Sequence, residues 1–475
     1  MGLELDYIFH PRSIAVAGAS ESPDKFGHTY FKNVLEHFSG PVYPINGRAT
    51  EILGEKTYAS VRDVPGPVDY VVSAVPNNAA LDLVDDCVAK GVKALHFFTA
   101  RFSETGSEEG AQMERDMLAK ARAAGMRILG PNCMGLYYPK EGIAWGREFP
   151  WEYGNVGIIS QSGGNAGEMI SVGATRGLRY SKVISYGNAL DLNEADLLEY
   201  LADDPETGLI GGYIEGVKDG RRFAKALGYA SRRKPVVLLK GGRTRAGTNM
   251  ASSHTGSLAG ANEVWEAMCR QMGVVNAFSM EDLLDSMVAF ARMPAATGVN
   301  LLVGGGTGGK GVMSADECEE AGLHLPQIPD SVRGELVDKD PFFGAWVTNP
   351  VDGSIMGGSK LTPHEVITLI ARDPSYHVVI NGVAPSVPSN GRRSRRPTRS
   401  SRMLEHTAAI ASELGKPVAL VIADHIPDND KLLKASAELH RQCVKDGFAV
   451  FPTISRAARA IRRLVDYYRW REEAA

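Results

Sequence analysis

Unbroken apolar runs, rather than alternating ones, are what this chain repeats. SIAVAGAS, PVYPI, DYVVSAVP, ALHFFTA and MRILGPN each string apolar residues together without a polar partner between them. A strand with one face in water alternates polar and apolar positions; a strand buried on both faces does not. Amphipathic stretches such as AALDLVDDCVAKG and EEGAQMERDMLAKARAAG lie between the runs. Strand, crossover helix, strand is the βαβ unit, and its parallel sheet needs helices on both faces. The pattern predicts a doubly wound α/β domain over residues 1–145.

The remainder contains an internal repeat. One copy opens NVGIISQSGG (155–164), continues LLEYLADDPETGLIGGYIEG (197–216) and reaches RKPVVLLKGG (233–242). The other opens VNLLVGGGTGG (299–309), continues VITLIARDPSYHVVINGV (366–383) and reaches GKPVALVIAD (415–424). In both, a glycine-rich turn follows the first strand, an Asp-Pro turn follows a helix, and Lys-Pro precedes a last strand. Shared landmarks in one order predict two related α/β domains, over 146–292 and 298–475, joined by the linker-like ARMPAATG (291–298). Beyond the last strand the copies diverge: the first runs on as KGGRTRAGTNMASSHTGSLAG, the second as VIADHIPDND. The fold therefore does not require the histidine stretch.

Composition narrows the function classes. A net charge of -4 offers no basic field for nucleic acid. No run of 18 apolar residues occurs, and the N-terminus lacks an apolar leader, so neither a membrane span nor secretion is expected. The five cysteines, Cys87, Cys133, Cys269, Cys318 and Cys443, show no CxxC spacing. That points to a reducing, cytoplasmic compartment, with no disulfide framework and no metal site.

His254 sits among small hydroxyl and glycine residues in ASSHTGSLAG, where little can fill a core. Three roles are open to it: a local hydrogen bond, a metal ligand, or a nucleophile. No neighbouring Cys, Asp or Glu cluster supports the metal. A neutral imidazole can accept a phosphoryl group if a carboxylate orients its other nitrogen and backbone N–H groups hold the phosphate oxygens. Ser162, Gly163 and Gly164 open a helical pattern after a strand, as an anion site requires. Glu215 ends the strand GGYIEG and supplies the carboxylate. Both belong on the rim beyond the carboxyl ends of a parallel sheet. The small residues predict a slim loop hinged at Gly241, Gly242 and Gly247.

Other motifs fit less well. GASESPDKFG (18–27) follows the first strand but is not GxGxxG, so a dinucleotide fingerprint is missing while the position still suits a phosphate. GGGTGGKG (304–311) matches GxxxxGK, but Gly311 stands where a P-loop has Ser or Thr. GRRSRRPTRSSR (391–402) is either a solvated loop or a contact for phosphate or an acidic partner.

SIAVAGASESPDKFG, PVYPIN, GPNCMG, IISQSGG, YIEGVKDGR, PVVLLKGGR and SHTGSLAG together resemble the α-subunit of the NDP-forming (ADP-forming) acyl-CoA synthetases, in the succinyl-CoA synthetase superfamily. The resemblance spans nearly the whole chain. It implies three doubly wound α/β domains, a Rossmann-like CoA-binding domain followed by two flavodoxin-like ligase domains. It implies phosphohistidine at His254, its carboxylate at Glu215 and a phosphate cradle at Ser162, Gly163 and Gly164. It places CoA on Gly18, Ala19, Ser20 and Lys25, at Arg48, at Val75 and Pro76, near Phe98, Thr99 and Ala100, and at Asn132. Some positions depart from the family. Arg48 replaces a lysine, ARF (100–102) replaces AGF, and Gly167 stands where succinyl-CoA synthetases have a tyrosine, which leaves the acyl group open. ATP-grasp sequence is lacking. The resemblance therefore implies an ATP-grasp β-subunit as partner in an α2β2 hetero-oligomer, with ATP/ADP and Mg2+ mainly on that partner. The substrates would be a carboxylic acid and its acyl-CoA, with no nucleic acid and no membrane involved. The rival readings are a non-catalytic CoA- or acyl-CoA-binding regulatory subunit and a Rossmann-type oxidoreductase.

Overall fold

The computed structural model of the chain describes residues 5–255, 262–306, 308–343, 347–354, 356, 358–385, 399–423 and 429–474. The chain divides into two compact units, Met1–Ala174 with Leu178–Leu283 and Thr175–Gly177 with Leu284–Ala475.

The first unit holds two main sheets. β1 (Ile14–Ala17), β2 (Val42–Ile45), a ribbon of β3 (Glu51–Ile52) and β4 (Glu55–Lys56), β5 (Tyr70–Ser73), β6 (Ala94–Phe97) and β7 (Arg127–Leu129) come first. All but the ribbon form one parallel sheet in the order β2-β1-β5-β6-β7. Every residue of β1, β5 and β6 is buried, which is why their sequences show no alternation. A fully buried Val or Leu contributes roughly 1.5–3 kcal/mol by leaving water.

β8 (Gly135–Tyr137), β9 (Tyr153–Ser160), β10 (Tyr180–Ser185), β11 (Leu209–Ile214), β12 (Val236–Lys240) and β13 (Val275–Ala277) form the second sheet, in the order β13-β12-β11-β9-β10-β8. Only β8 runs antiparallel, against β10. It precedes residue 145 in the chain yet pairs into this sheet. The loop after β10 returns the tie by running along the free edge of β7. There Leu190 N–H donates to Gly130 O (2.9 Å), and Arg127 Nε donates to the Asp191 carboxylate (2.6 Å).

The second unit is built on β14 (Leu301–Gly304), β15 (Val378–Gly382), β16 (Val418–Val421) and β17 (Ala449–Phe451), parallel and in the order β14-β15-β16-β17. Leu302, Val366, Ile367, Ile370, Val379 and Val418 share its core. All five cysteines are buried and unpaired. Among the described residues, no helix is long and apolar enough to cross a membrane.

Candidate functional site

Chain order reverses in the first sheet between β1 and β5, so their carboxyl ends open onto a crevice. Gly18, Ala19 and Ser20 leave β1 there, and Val75 and Pro76 leave β5. Gly18 has φ +87°, and a Cβ on it would sit 2.8 Å from the Ala74 carbonyl carbon. A Cβ on Gly27, in the first turn of the helix Phe26–His37, would run into the Gly18 carbonyl oxygen. These two glycines let the helix start directly on the strand end, which is the packing role of a glycine in GxGxxG. Lys25 is the N-cap of that helix and is exposed. Arg48, beyond β2, is exposed as well. Its N–H donates to Asn46 Oδ1 (2.9 Å), and Asn46 Nδ2 donates to Ala19 O (2.9 Å), joining the turn after β2 to the turn after β1.

The ends of β6 and β7 form the other wall. Phe98 stacks on Phe26 with ring centroids 3.7 Å apart. Thr99 Oγ1 donates to Val75 O, and Thr99 O accepts from Asn132 N–H (3.0 Å). Ala100 follows, half-buried, and then Arg101, which replaces the family's glycine and keeps φ +76°. Its own N–H and that of Phe102 both donate to the Glu104 carboxylate, which offsets part of that strain. Inside β6, His96 is fully buried, and burial pushes its pKa down to about 4. The neutral ring lies with Nε2 3.1 Å from Cys133 O and holds the bend that carries Asn132.

The second sheet reverses chain order between β9 and β11. Ser162, Gly163 and Gly164 leave β9 at that point, and Glu215 leaves β11. Ser160 pairs with Tyr213 in register, so Ser162 and Glu215 stand the same two residues beyond the paired ends. Ser162 Oγ accepts from Asn165 N–H (3.3 Å) and its carbonyl accepts from Ala166 N–H (3.0 Å), which starts the helix Gly163–Thr175. The N–H groups of Gly163 and Gly164 have no acceptor one turn back, and Gly164 is exposed. The Met134 side chain lies against Gly163, two residues on from Asn132, so the two rims meet there.

Glu215 is 5% exposed. Gln161 clamps its backbone: Oε1 accepts from Glu215 N–H and Gly216 N–H (3.0 Å), and Nε2 donates to Gly216 O (3.0 Å). Lys240, at the end of β12, donates to Glu215 O (3.2 Å) and Gly241 O (3.0 Å). Burial lowers its pKa, opposed by the attraction of Glu215. Tyr213 lies two residues before Glu215 and so on the same side of the chain; burial, then the Glu215 charge, push its pKa up to about 12. Sequence reasoning passed over Gln161, Tyr213 and Lys240. The period-2 rule applied to GYIEG would have put Tyr213 beside Glu215. Nothing local signalled Lys240, because its contact with Glu215 O comes from another segment of the sheet.

The histidine stretch is not the slim loop its sequence suggested. Residues Arg245–Thr255 are helical, and His254 stands in the last turn. Thr244 starts the helix, its Oγ1 accepting from Gly247 N–H (3.1 Å), and Gly247, expected as a hinge, lies within it. Helix-compatible Arg, Ala and Met outweigh the scattered small polar residues once a cap is present. The helix springs from the rim directly after β12. Its backbone approaches the turn Ser103–Thr105, which follows β6 in the first sheet. The His254 side chain and Gly256–Gly260 lie outside the described residues, as does most of the arginine-rich stretch 391–402. Among the described residues, no group of three or more His, Cys, Asp or Glu could hold a metal ion.

Three families match consecutive parts of the chain: a CoA binding domain over 12–139, a succinyl-CoA ligase like flavodoxin domain over 153–290 and a ligase-CoA domain over 301–427. The chain is 40% identical over 376 residues to the acetate–CoA ligase (ADP-forming) II subunit alpha of Pyrococcus furiosus, covering 79% of this chain and 81% of that one. To subunit alpha of ligase I from the same organism it is 34% identical over 478 residues, covering 99% of both. It spans only about half the length of several other relatives. Among solved structures it resembles the dinucleotide forming acetyl-coenzyme A synthetase 1 of Ca. Korarchaeum cryptofilum in complex with phosphate and ADP. That match has a TM-score of 0.81 and 32% identity, over 99% of this chain and 97% of that one. The sheet order, the two switch points and these kinships agree: the chain belongs to the ADP-forming acyl-CoA ligases of the succinyl-CoA synthetase superfamily, as an α-subunit.

Proposed function

We propose that this chain interconverts acyl-CoA, ADP and phosphate with a carboxylic acid, CoA and ATP, working with an ATP-grasp β-subunit in an α2β2 assembly in the cytoplasm. One observation carries the reading. At the switch point of the second sheet a helix N-terminus and a buried carboxylate face each other, and the next strand leads straight into the helix that bears His254.

CoA occupies the crevice of the first sheet. Its phosphates meet Lys25, Arg48 and the amides of Gly18–Ser20, and the rest lies along Val75, Pro76, Phe98–Ala100 and Asn132. Exposed cations beside a glycine-lined turn suit a ligand that carries several phosphates. Inorganic phosphate attacks the thioester carbonyl: a C–O bond forms, the C–S bond breaks and CoA leaves as thiolate. The acyl phosphate rests on the Gly163 and Gly164 N–H groups. A His254 ring nitrogen then attacks phosphorus, the P–O bond to the acyl group breaks, and the carboxylate departs. Positive charge develops on the ring, and Glu215 stabilises it. The phosphohistidine gives its phosphoryl group to ADP on the partner, where Mg2+ sits with the nucleotide.

The test uses acetyl phosphate labelled at phosphorus. The wild-type chain should take up acid-labile, alkali-stable label, and His254→Ala should take up none. Alone, the chain should not turn over ATP. Label on His254→Ala, or ADP formation by the chain without a partner, overturns the reading.

A further inference from the structure

The loop that follows β10 reaches back to the first sheet, and Asn188 is its centre. Ser185 Oγ accepts from Met134 N–H (3.1 Å), and Gly187, with φ +51°, lies so close to the Pro131 and Asn132 carbonyls that a Cβ would not fit. Asn188 is 3% exposed, and each of its polar groups is paired. Its N–H donates to Pro131 O (3.0 Å), and its Oδ1 accepts from Asn132 Nδ2 (3.4 Å). Its Nδ2 donates to Glu104 Oε2 (2.7 Å) and to Glu114 Oε1 (3.0 Å). Those two carboxylates hold the segment beyond Ala100: Glu104 accepts from Arg101 N–H and Phe102 N–H (3.0 Å), and Glu114 accepts from Ser103 N–H (3.4 Å). From the other side Lys218, in the segment that leaves β11, donates through Nζ to Asn188 O (2.7 Å) and Ala189 O (3.0 Å). One residue thus grips the segments that leave β6 and β7 and is braced from the segment that carries Glu215.

We propose that Asn188 is a positioning residue for the thioester step: it sets the CoA rim of the first sheet against the phosphate rim of the second, so that phosphate held at Gly163 and Gly164 lies within reach of the thioester carbonyl. The inference rests on the roles given above to the two rims. In that step a phosphate oxygen bonds to the carbonyl carbon, the C–S bond breaks and CoA departs as thiolate. The reactants are held by different sheets, so the rate depends on how those sheets are registered. A misplacement of about 1 Å can cost about 100-fold. Transfer from acyl phosphate to His254 draws on the second rim, where Gln161 clamps the Glu215 backbone independently of Asn188. Hydrogen bonds to carboxylates are charge-assisted and directional, and burial from water strengthens them. Without the Asn188 amide, Glu104 and Glu114 lose the donor they share, and the segment they hold beyond Ala100 is free to shift.

The measurement compares two routes to phosphohistidine in the full chain: acetyl-CoA with labelled inorganic phosphate, which needs both rims, and labelled acetyl phosphate, which bypasses the thioester. Asn188→Ala should slow the thioester route about 10- to 100-fold and the acetyl phosphate route by no more than about threefold, with CoA affinity within about threefold of wild type. A merely structural role would depress both routes together. Lys218 is exposed, so Lys218→Met removes the brace without opening the core. It should slow the thioester route several-fold, spare the other, and add little to Asn188→Ala. Wild-type thioester rates in the variants, or equal losses by the two routes, overturn the positioning role. No label in the wild type by either route, or label persisting in His254→Ala, would instead overturn the function on which the inference rests.

Discussion

The two copies of the repeat share a frame and differ at its rim. β9, β11, β12 and β13 lie side by side in the same order as β14, β15, β16 and β17. The common landmarks make the same contacts. Lys234 Nζ donates to Asp204 O (2.5 Å) and Lys416 Nζ to Asp373 O (2.6 Å), so in each copy a lysine holds the carbonyl of the Asp-Pro turn. Ile210 N–H donates to Pro235 O and Val379 N–H to Pro417 O, both at 2.9 Å. The repeated residues are thus the ones that stop a helix and set the next strand.

Among the described residues, the second copy has no strand in the place of β10. β9 has β10 on its outer side, and that produces the reversal of chain order. Among the described residues, those flanking β14 make isolated bridges there, Asn300 with His324 and Gly306 with Asp352. Its four strands run in one direction with no switch point, and so no crevice opens between strand ends. The side chains follow suit. Register equates Ile210 with Val379 and therefore Tyr213 with Gly382, which puts the exposed Ala384 in the place of Glu215 and the exposed Ala423 in the place of Gly241. The second rim thus has neither the carboxylate of Glu215 nor the hydroxyl of Tyr213 at the matching places. The difference teaches that a duplicated frame keeps its fold-making contacts and sheds its chemistry where the sheet edge closes.

The sharpest way to break this comparison is to move the carboxylate. Glu215→Gln should reduce histidine phosphorylation by at least about 100-fold, on the scale of losing one electrostatic stabiliser. Adding Ala384→Glu should restore nothing and should leave thermal stability nearly unchanged, because the position is exposed. Recovery of phosphorylation in the double variant would mean the second rim is a working site.

Gly241, on the rim of the first copy, and Ile422, in the frame of the second, give opposite expectations. Gly241→Ala pushes a methyl between Tyr213 and Glu215 and should slow phosphorylation by roughly tenfold or more with little change in stability. Ile422 is 4% exposed, and Ile422→Ala should cost about 2–4 kcal/mol in urea unfolding with no effect on phosphorylation. Similar consequences at both positions would erase the distinction between rim and frame.

The smallest effects should be the most alike. Lys234→Ala and Lys416→Ala each leave the turn carbonyl of their copy without its donor and should each cost about 1–2 kcal/mol, measured by chemical denaturation. Neither should alter phosphorylation. A loss confined to one copy would show that the landmark has ceased to be structural in the other.

Most of the frame was readable along the chain. The five apolar runs of the first domain are its five parallel strands, and the repeat landmarks fell on matching contacts. Burial on both faces imposes an unbroken apolar pattern, and a strand's surroundings are thereby written into its own residues. Ser162, Gly163, Gly164 and Glu215 were readable as rim residues because a strand followed by a glycine turn or a carboxylate has few other places to be. The helix over Arg245–Thr255 was misread as a loop because short polar residues favour turns until a cap such as Thr244 tips the balance.

The sequence by itself determined the class of fold, the repeat, and which residues could carry phosphoryl chemistry, because these depend on local pattern and residue type. Only the tertiary structure decided which strand ends face each other. The switch points at β1–β5 and β9–β11, the antiparallel β8 and the clamp of Gln161 on Glu215 all arise between segments tens of residues apart. Strand order is set by how whole layers bury their surfaces together, and no single segment records that outcome.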